Sequence, residues 1–205
     1  MSEVARSREK KMQVIHNKSK HWTTADLEAL DYDEWLRYEI INGELFVTRA
    51  PHWNHQKTCT NLVFALKSWS NTSGLGEVVT SPGIIFSDAD NVIPDVVWAS
   101  TETLENYLDE KGHLVSAPEL IIEVLSEGKS NEKRDNKIKL DLYSERGVRE
   151  YWICDWRDRA ITIYRQEENI LKPVKTLSEQ DTLTSPLLPS FSANVSELLA
   201  RYSVS

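Results

Sequence analysis

The run Leu120-Ile-Ile-Glu-Val-Leu125, flanked by Ala117-Pro-Glu and Ser126-Glu-Gly, limits how this chain can fold more than any other stretch. Its apolar continuity predicts a buried strand, and such a strand has no packing use for the carboxylate of Glu123. An unpaired charge there costs several kcal/mol, on the order of the penalties for buried ions. Glu123 therefore requires a cation, a metal ion or a proton, and the partner must come from elsewhere in the chain.

A chain of 205 residues accommodates one domain with a full hydrophobic core. The expected layout is a flexible basic leader over residues 1–20, followed by one domain over residues 21–205. No stretch approaches the roughly 18 apolar residues of a membrane span. The first residues are too charged for a signal peptide, so a cytoplasmic protein without a membrane partner is expected. Cys59 and Cys154 lie far apart and outside any CxxC pattern, which predicts buried thiols rather than a disulfide or a zinc site. A formal charge of -8 disfavours binding a polyanion through the overall field. A local basic patch, or a metal ion inside a carboxylate cluster, can override that mean.

Thr24 to Leu30 reads as a short helix capped by Thr23 or Thr24. Asn42-Gly43 between two apolar runs predicts a β-hairpin over Tyr38 to Val47, because both residues tolerate positive φ. Glu39 shares one strand face with Ile41, and the pattern slightly favours an exposed carboxylate over an acid near a site. Cys59, Leu62, Val63, Leu66 and Trp69 recur at helical spacing, which predicts an amphipathic helix over 54–70. His52 and His55 at its start read as loop or capping residues, since a histidine pair alone is weak evidence for a metal. Residues 77–80 and 83–86 are expected to form a hairpin around Ser81-Pro82, and 87–91 a turn. Val92 to Trp98 reads as a second apolar strand with one inserted acid, Asp95, and Pro94 interrupts its ladder.

Residues 101–109 predict a weak helix or covering loop, and 129–145 a helix on which Asp135, Lys139 and Tyr143 share a stripe. Two strands over 151–155 and 160–164 then close the sheet. An irregular loop around Pro186 and Pro189 and a helix over 196–202 complete the chain. Gly128-Lys129-Ser130 ends like a phosphate-binding loop, but Glu123 stands where that pattern requires glycine, so an ATPase is rejected.

Glu119, Ile121, Glu123 and Leu125 share one side of the predicted strand, and Asp95 on another strand could converge on Glu123. Two close carboxylates repel unless a divalent cation lies between them, and a hard, oxygen-ligated ion such as Mg²⁺ suits them. A nearby lysine would complete such a site by orienting water or by offsetting charge on a phosphoryl oxygen.

The runs at 38–45, Pro94-Asp95, 118–126 and 147–153, together with the Asp135, Lys139, Tyr143 stripe, resemble the Uma-type restriction endonuclease family. That family belongs to the PD-(D/E)XK nuclease superfamily, and the resemblance extends from Trp22 to Leu199. It implies an α/β (α+β) restriction-endonuclease-like core, a mixed central sheet flanked by helices, and divalent-metal-dependent hydrolysis of DNA phosphodiester bonds with Mg²⁺ or Mn²⁺. By the same resemblance Asp95 and Glu123 are catalytic metal ligands and Glu39 is an additional acid at the metal. His55 supports substrate or water, and a homodimer is possible. The superfamily pattern places lysine two residues after the acid, where this chain has Leu125. The resemblance assigns the catalytic lysine to Lys139, with Lys137 as the nearest substitute, turned about 200° away on a helix. The competing readings are a catalytically silent nuclease-like fold that binds DNA or a protein, and acids that are merely salt-bridged in a core.

Overall fold

In the computed structural model, residues 20–31, 33, 35–126 and 134–202 are described. Almost all of the predicted leader, and the Gly128-Lys129-Ser130 run, lie outside them. Helix α1 (Thr24–Glu28) begins with a reciprocal capping box: Asp26 N–H donates to Thr23 Oγ1, and Thr23 N–H donates to the Asp26 carboxylate. Strands β1 (Leu36–Ile41) and β2 (Glu44–Arg49) form the predicted hairpin, with Asn42 at φ 52° and Gly43 at φ 73°. The amphipathic stripe becomes α2 (Trp53–Ser73), closed by Gly74 in the left-handed conformation at φ 68°.

The expected hairpin around Ser81-Pro82 does not form. β3 (Gly76–Thr80) pairs with β6 (Val96–Ser100), whereas β4 (Ile84–Ser87) pairs with β5 (Asp90–Val92) in a different sheet. Local turn chemistry marks a reversal but not its partner, which burial decides: Val78 lies opposite Trp98 in one core, and Ile84 opposite Val92 in the other. The predicted strand over 92–98 is likewise two strands. The chain leaves one sheet at Val92 and enters the other at Val96, so Pro94-Asp95 stands at the seam. The expected turn over 87–91 narrows to Asp88-Ala89, with Ser87 and Asp90 inside the flanking strands.

After α3 (Thr101–Tyr107), the predicted buried strand appears as β7 (Leu120–Val124), every residue of which is buried. β7 lies between β6 and the parallel strand β8 (Glu150–Asp155) in a sheet of order β10-β9-β8-β7-β6-β3. Within the β7–β8 crossover, a π-helical turn over Arg134–Ile138 runs into α4 (Lys139–Arg146). β9 (Ala160–Glu167) pairs antiparallel with β8 as expected. Beyond it, β10 (Ile170–Leu177) is an edge strand with an irregular register next to Pro173, a setting that tolerates proline, which is why the sequence hid it. The presumed irregular tail is a small antiparallel pair, β11 (Thr182–Ser185) and β12 (Leu188–Asn194), followed by α5 (Val195–Leu198), which is shorter than expected.

The six-stranded sheet separates two cores. Leu120, Ile122 and Val124 of β7 face α2, β12 and α5, and Ile121 faces α4 and the four-stranded sheet β2-β1-β5-β4. By alternation Glu123 belongs to the second face. Helix α4 is fixed on that face from its C-terminal end, where Arg146 pairs with buried Asp90 and Ser144 Oγ accepts the Leu171 N–H at 2.8 Å. Among the described residues no helix is long and apolar enough to cross a membrane.

Candidate active site

The partner that Glu123 requires is on α4. Lys139 Nζ lies 2.8 Å from Glu123 Oε1, and Tyr143 Oη donates to the same oxygen at 2.9 Å. Residues four apart on a helix lie one above the other, so one turn of α4 presents both donors to the strand. The ammonium is also 2.8 Å from Glu39 Oε1, which accepts the Ile93 N–H at 2.9 Å. Lys139 is fully buried, whereas Lys137 is exposed, so the described contacts single out Lys139. Leu125 is buried beside Tyr143 and Ile121, so the position that carries lysine in the superfamily pattern is core here.

Glu39 is buried at 1% exposure, contrary to the outward orientation the pattern favoured. β1 is an inner strand of its sheet, and the face shared by Glu39 and Ile41 turns toward the larger sheet. Alternation defines two faces, but only the covering layer decides which is wet.

One ammonium between two buried carboxylates compensates one of them. At Glu39 burial opposes ionisation most strongly, but Lys139 and Arg134 outweigh it and hold the carboxyl below its ordinary range. At Glu123 burial wins: it pushes the carboxyl up to about 8 against Lys139, with Asp95 adding repulsion. Burial alone would also discharge Lys139, yet Glu123 and Glu39 hold its pKa above the ordinary value.

The native state keeps the Glu123 proton up to about 8, while the ordinary carboxyl releases it near 4.5. Between those values the native state binds more protons than the unfolded chain, so stability should fall as pH rises through that window and level off above it. Urea midpoints of chelator-treated protein, from about pH 5 to about pH 9, should show this contribution, and Glu123→Gln should lack it. Equal slopes in the two proteins would rule the assignment out.

Asp95 is organised separately. Its Oδ2 accepts the Val124 N–H at 2.9 Å and lies 3.1 Å from His55 Nε2, while Arg37 Nη1 donates to Oδ1 at 3.0 Å. Burial would raise this carboxyl, but His55, Arg37 and the Val124 amide together depress it, so it is an anion. The Val124 bond seats Asp95, which stands between β5 and β6, against the residue that follows Glu123 on β7, so the two acids meet at the sheet seam. His55 is not a loop or capping residue. It is 2% exposed in the first turn of α2, and His52 provides the cap by accepting the Asn54 N–H at 3.1 Å.

Asp95 and Glu123 line one cleft of about 190 Å³, together with His55, Arg37, Arg49 and Arg134. None of these arginines belongs to the motifs that single out Asp95, Glu123 and Lys139. Arg37 carried a signal, because it stands two residues before Glu39 and shares its strand face. Arg134 had none, since its orientation arises in the π-helical turn, where its Nε donates to buried Asp135 at 2.8 Å. The two cleft acids supply hard oxygen donors, and Glu123 Oε2 has no hydrogen bond among the described residues, so the pair fits a Mg²⁺-like ion. Glu39 does not line the cleft.

Comparison with known proteins yields two likenesses. The sequence model of the Uma2 family, described as "Putative restriction endonuclease", matches residues 24–196. A crystal structure described as a "putative nuclease belonging to DUF820" from Anabaena variabilis ATCC 29413 superposes with a TM-score of 0.69 at 17% identity. The match covers 87% of this chain and 97% of that one, and at this identity it speaks to the fold. No curated protein matches the sequence.

Proposed function

The chain belongs to the Uma2 family of "putative restriction endonucleases", and on that premise we propose that it is a divalent-metal-dependent endonuclease hydrolysing DNA phosphodiester bonds. The observation that carries this reading is the meeting of Asp95 and Glu123 in one arginine-lined cleft, with the Lys139 ammonium on Glu123. Asp95 and Glu123 would hold Mg²⁺ or Mn²⁺. A bound ion supplies Lewis-acid polarisation of a phosphoryl oxygen and a more acidic attacking water.

The other roles belong to the chain's own residues. Asp95 is kept anionic by His55, Arg37 and the Val124 amide, ready to bind a cation. Lys139, fully buried and like Glu39 not among the residues that line the cleft, acts on it through Glu123: held from behind by Glu39, it fixes the Glu123 carboxyl that faces the cleft. We assign Glu39 this positioning role, because its Oε1 is engaged by Lys139 and Ile93 and it stands off the cleft wall. Arg37, Arg49 and Arg134 give the cleft the planar cations that suit phosphate oxygens. Duplex cleavage by one site per chain suits a homodimer addressing both strands.

One observation favours a second reading, a nuclease-like fold that binds DNA or a protein without cutting: each cleft acid already has donors from the chain itself. Incubation of purified protein with Mg²⁺ or Mn²⁺ and single-stranded or duplex DNA separates the two. Cleavage is expected. Absence of cleavage, together with calorimetry finding no metal binding that Asp95→Ala abolishes, would leave the second reading.

A further inference from the structure

Behind Asp95, on the side away from Arg37, stands a donor set whose third member, Cys59, the nuclease chemistry does not use. His55 and Cys59 lie four apart on α2 and so face the same way, and Cys59 Sγ is 3.7 Å from His55 Nδ1. One ligand atom each from His55, Cys59 and Asp95 lie within 4.8 Å of one another, and all three residues are buried; an ion taken by all three replaces one of the two contacts the imidazole now makes, Nδ1 with Cys59 or Nε2 with Asp95.

Nitrogen, sulfur and oxygen together make a poor site for Mg²⁺, which takes oxygen ligands, and a good one for Zn²⁺. Three protein ligands and one open position form the usual arrangement of an accessible zinc site. The open side is present, because His55 and Asp95 line the cleft while Cys59 lies behind them. A thiolate and a carboxylate offset the charge of a divalent ion, with the Arg37 guanidinium on the other Asp95 oxygen as the remaining positive charge. Without a metal the Cys59 thiol is inert, since burial raises its pKa well above the ordinary value.

We propose that His55, Cys59 and Asp95 form a second metal site, selective for Zn²⁺ over Mg²⁺, that shares Asp95 with the cleft. Zinc bound there withdraws Asp95 from the hard-ion site and acts as an inhibitor. The inhibition rests on the nuclease reading, but zinc binding does not.

Cobalt serves as the probe, added to chelator-treated full-length protein. The expected result is one Co²⁺ per chain with a near-ultraviolet thiolate-to-metal charge-transfer band, displaced by Zn²⁺ and not by Mg²⁺. Cys59→Ser should remove the band and weaken binding at least about tenfold, a loss that even outer-shell partners can cause. The chain has two cysteines, so Cys154→Ser leaves Cys59 as the sole thiol, and the band should persist in that variant. This assigns the ligand even if Cys59→Ser fails to fold. Cobalt bound without the band, a band lost in folded Cys154→Ser, or unchanged affinity in Cys59→Ser would overturn the site. If the protein cuts DNA, Zn²⁺ should inhibit Mg²⁺-supported cleavage by the wild type and less so by Cys59→Ser. Cobalt binding as predicted with no cleavage at all would remove only the nuclease reading.

Discussion

Replacing Lys139 by methionine is expected to destabilise the protein by about 3–5 kcal/mol at neutral pH, the usual cost of removing one partner from a buried ion pair. Methionine refills most of the volume, so the loss reports charge rather than a cavity. Without the ammonium, Glu39 and Glu123 remain buried with no cation in contact at the oxygens it held. Glu123 already carries a proton at neutral pH and Glu39 must then take one up as well in the native state, so the penalty should shrink toward about pH 4, where ordinary carboxyls are largely protonated. Urea denaturation at several pH values checks both the size and the sign. Lys137→Met, at an exposed position, should stay within about 0.5 kcal/mol of the wild type. A Lys139→Met protein as stable as the wild type at pH 8 would show that the two acids do not depend on that ammonium.

The second large effect is on chemistry. Asp95→Asn is expected to lower metal-supported DNA cleavage by at least about 10³-fold, within the range that metal positioning and charge stabilisation contribute in other hydrolases. The change is nearly isosteric, yet both carboxylate oxygens accept hydrogen bonds, from Arg37 on one side and Val124 on the other. The new amide must turn its own donor toward one of them, so a stability loss of about 1–3 kcal/mol should accompany the loss of activity. Cleavage assays at saturating Mn²⁺, run beside denaturation curves, separate the two effects. If the folded variant cuts at the wild-type rate, Asp95 is not a metal ligand and the acids of this cleft are structural.

Much of the fold was legible locally. The Asn42-Gly43 hairpin, the capped α1, the stripe of α2 and the buried run of β7 are each dictated by the conformations and periods of adjacent residues. The errors lie where partners are distant. Ser81-Pro82 reads as a hairpin turn whether its flanking strands meet each other or enter different sheets, and only the pairing of β3 with β6 and of β4 with β5 decides. β10 was invisible because Pro173 argues against a strand unless that strand lies at an edge.

The candidate site divides in the same way. The sequence by itself determined that Glu123 needs a partner, since a carboxylate inside an apolar run cannot be buried without one, and it offered Asp95 and Lys139 through the order of their motifs. Tertiary structure decided the rest. It turned Glu39 inward to anchor Lys139, moved His55 from a presumed cap to the back of Asp95, and brought Arg37, Arg49 and Arg134 to the cleft. The reason is physical: period fixes which residues share a face, but burial, dielectric and charge pairing depend on which layer covers that face. That choice is made by contacts between β1, α2, β7 and α4, which are far apart in the chain.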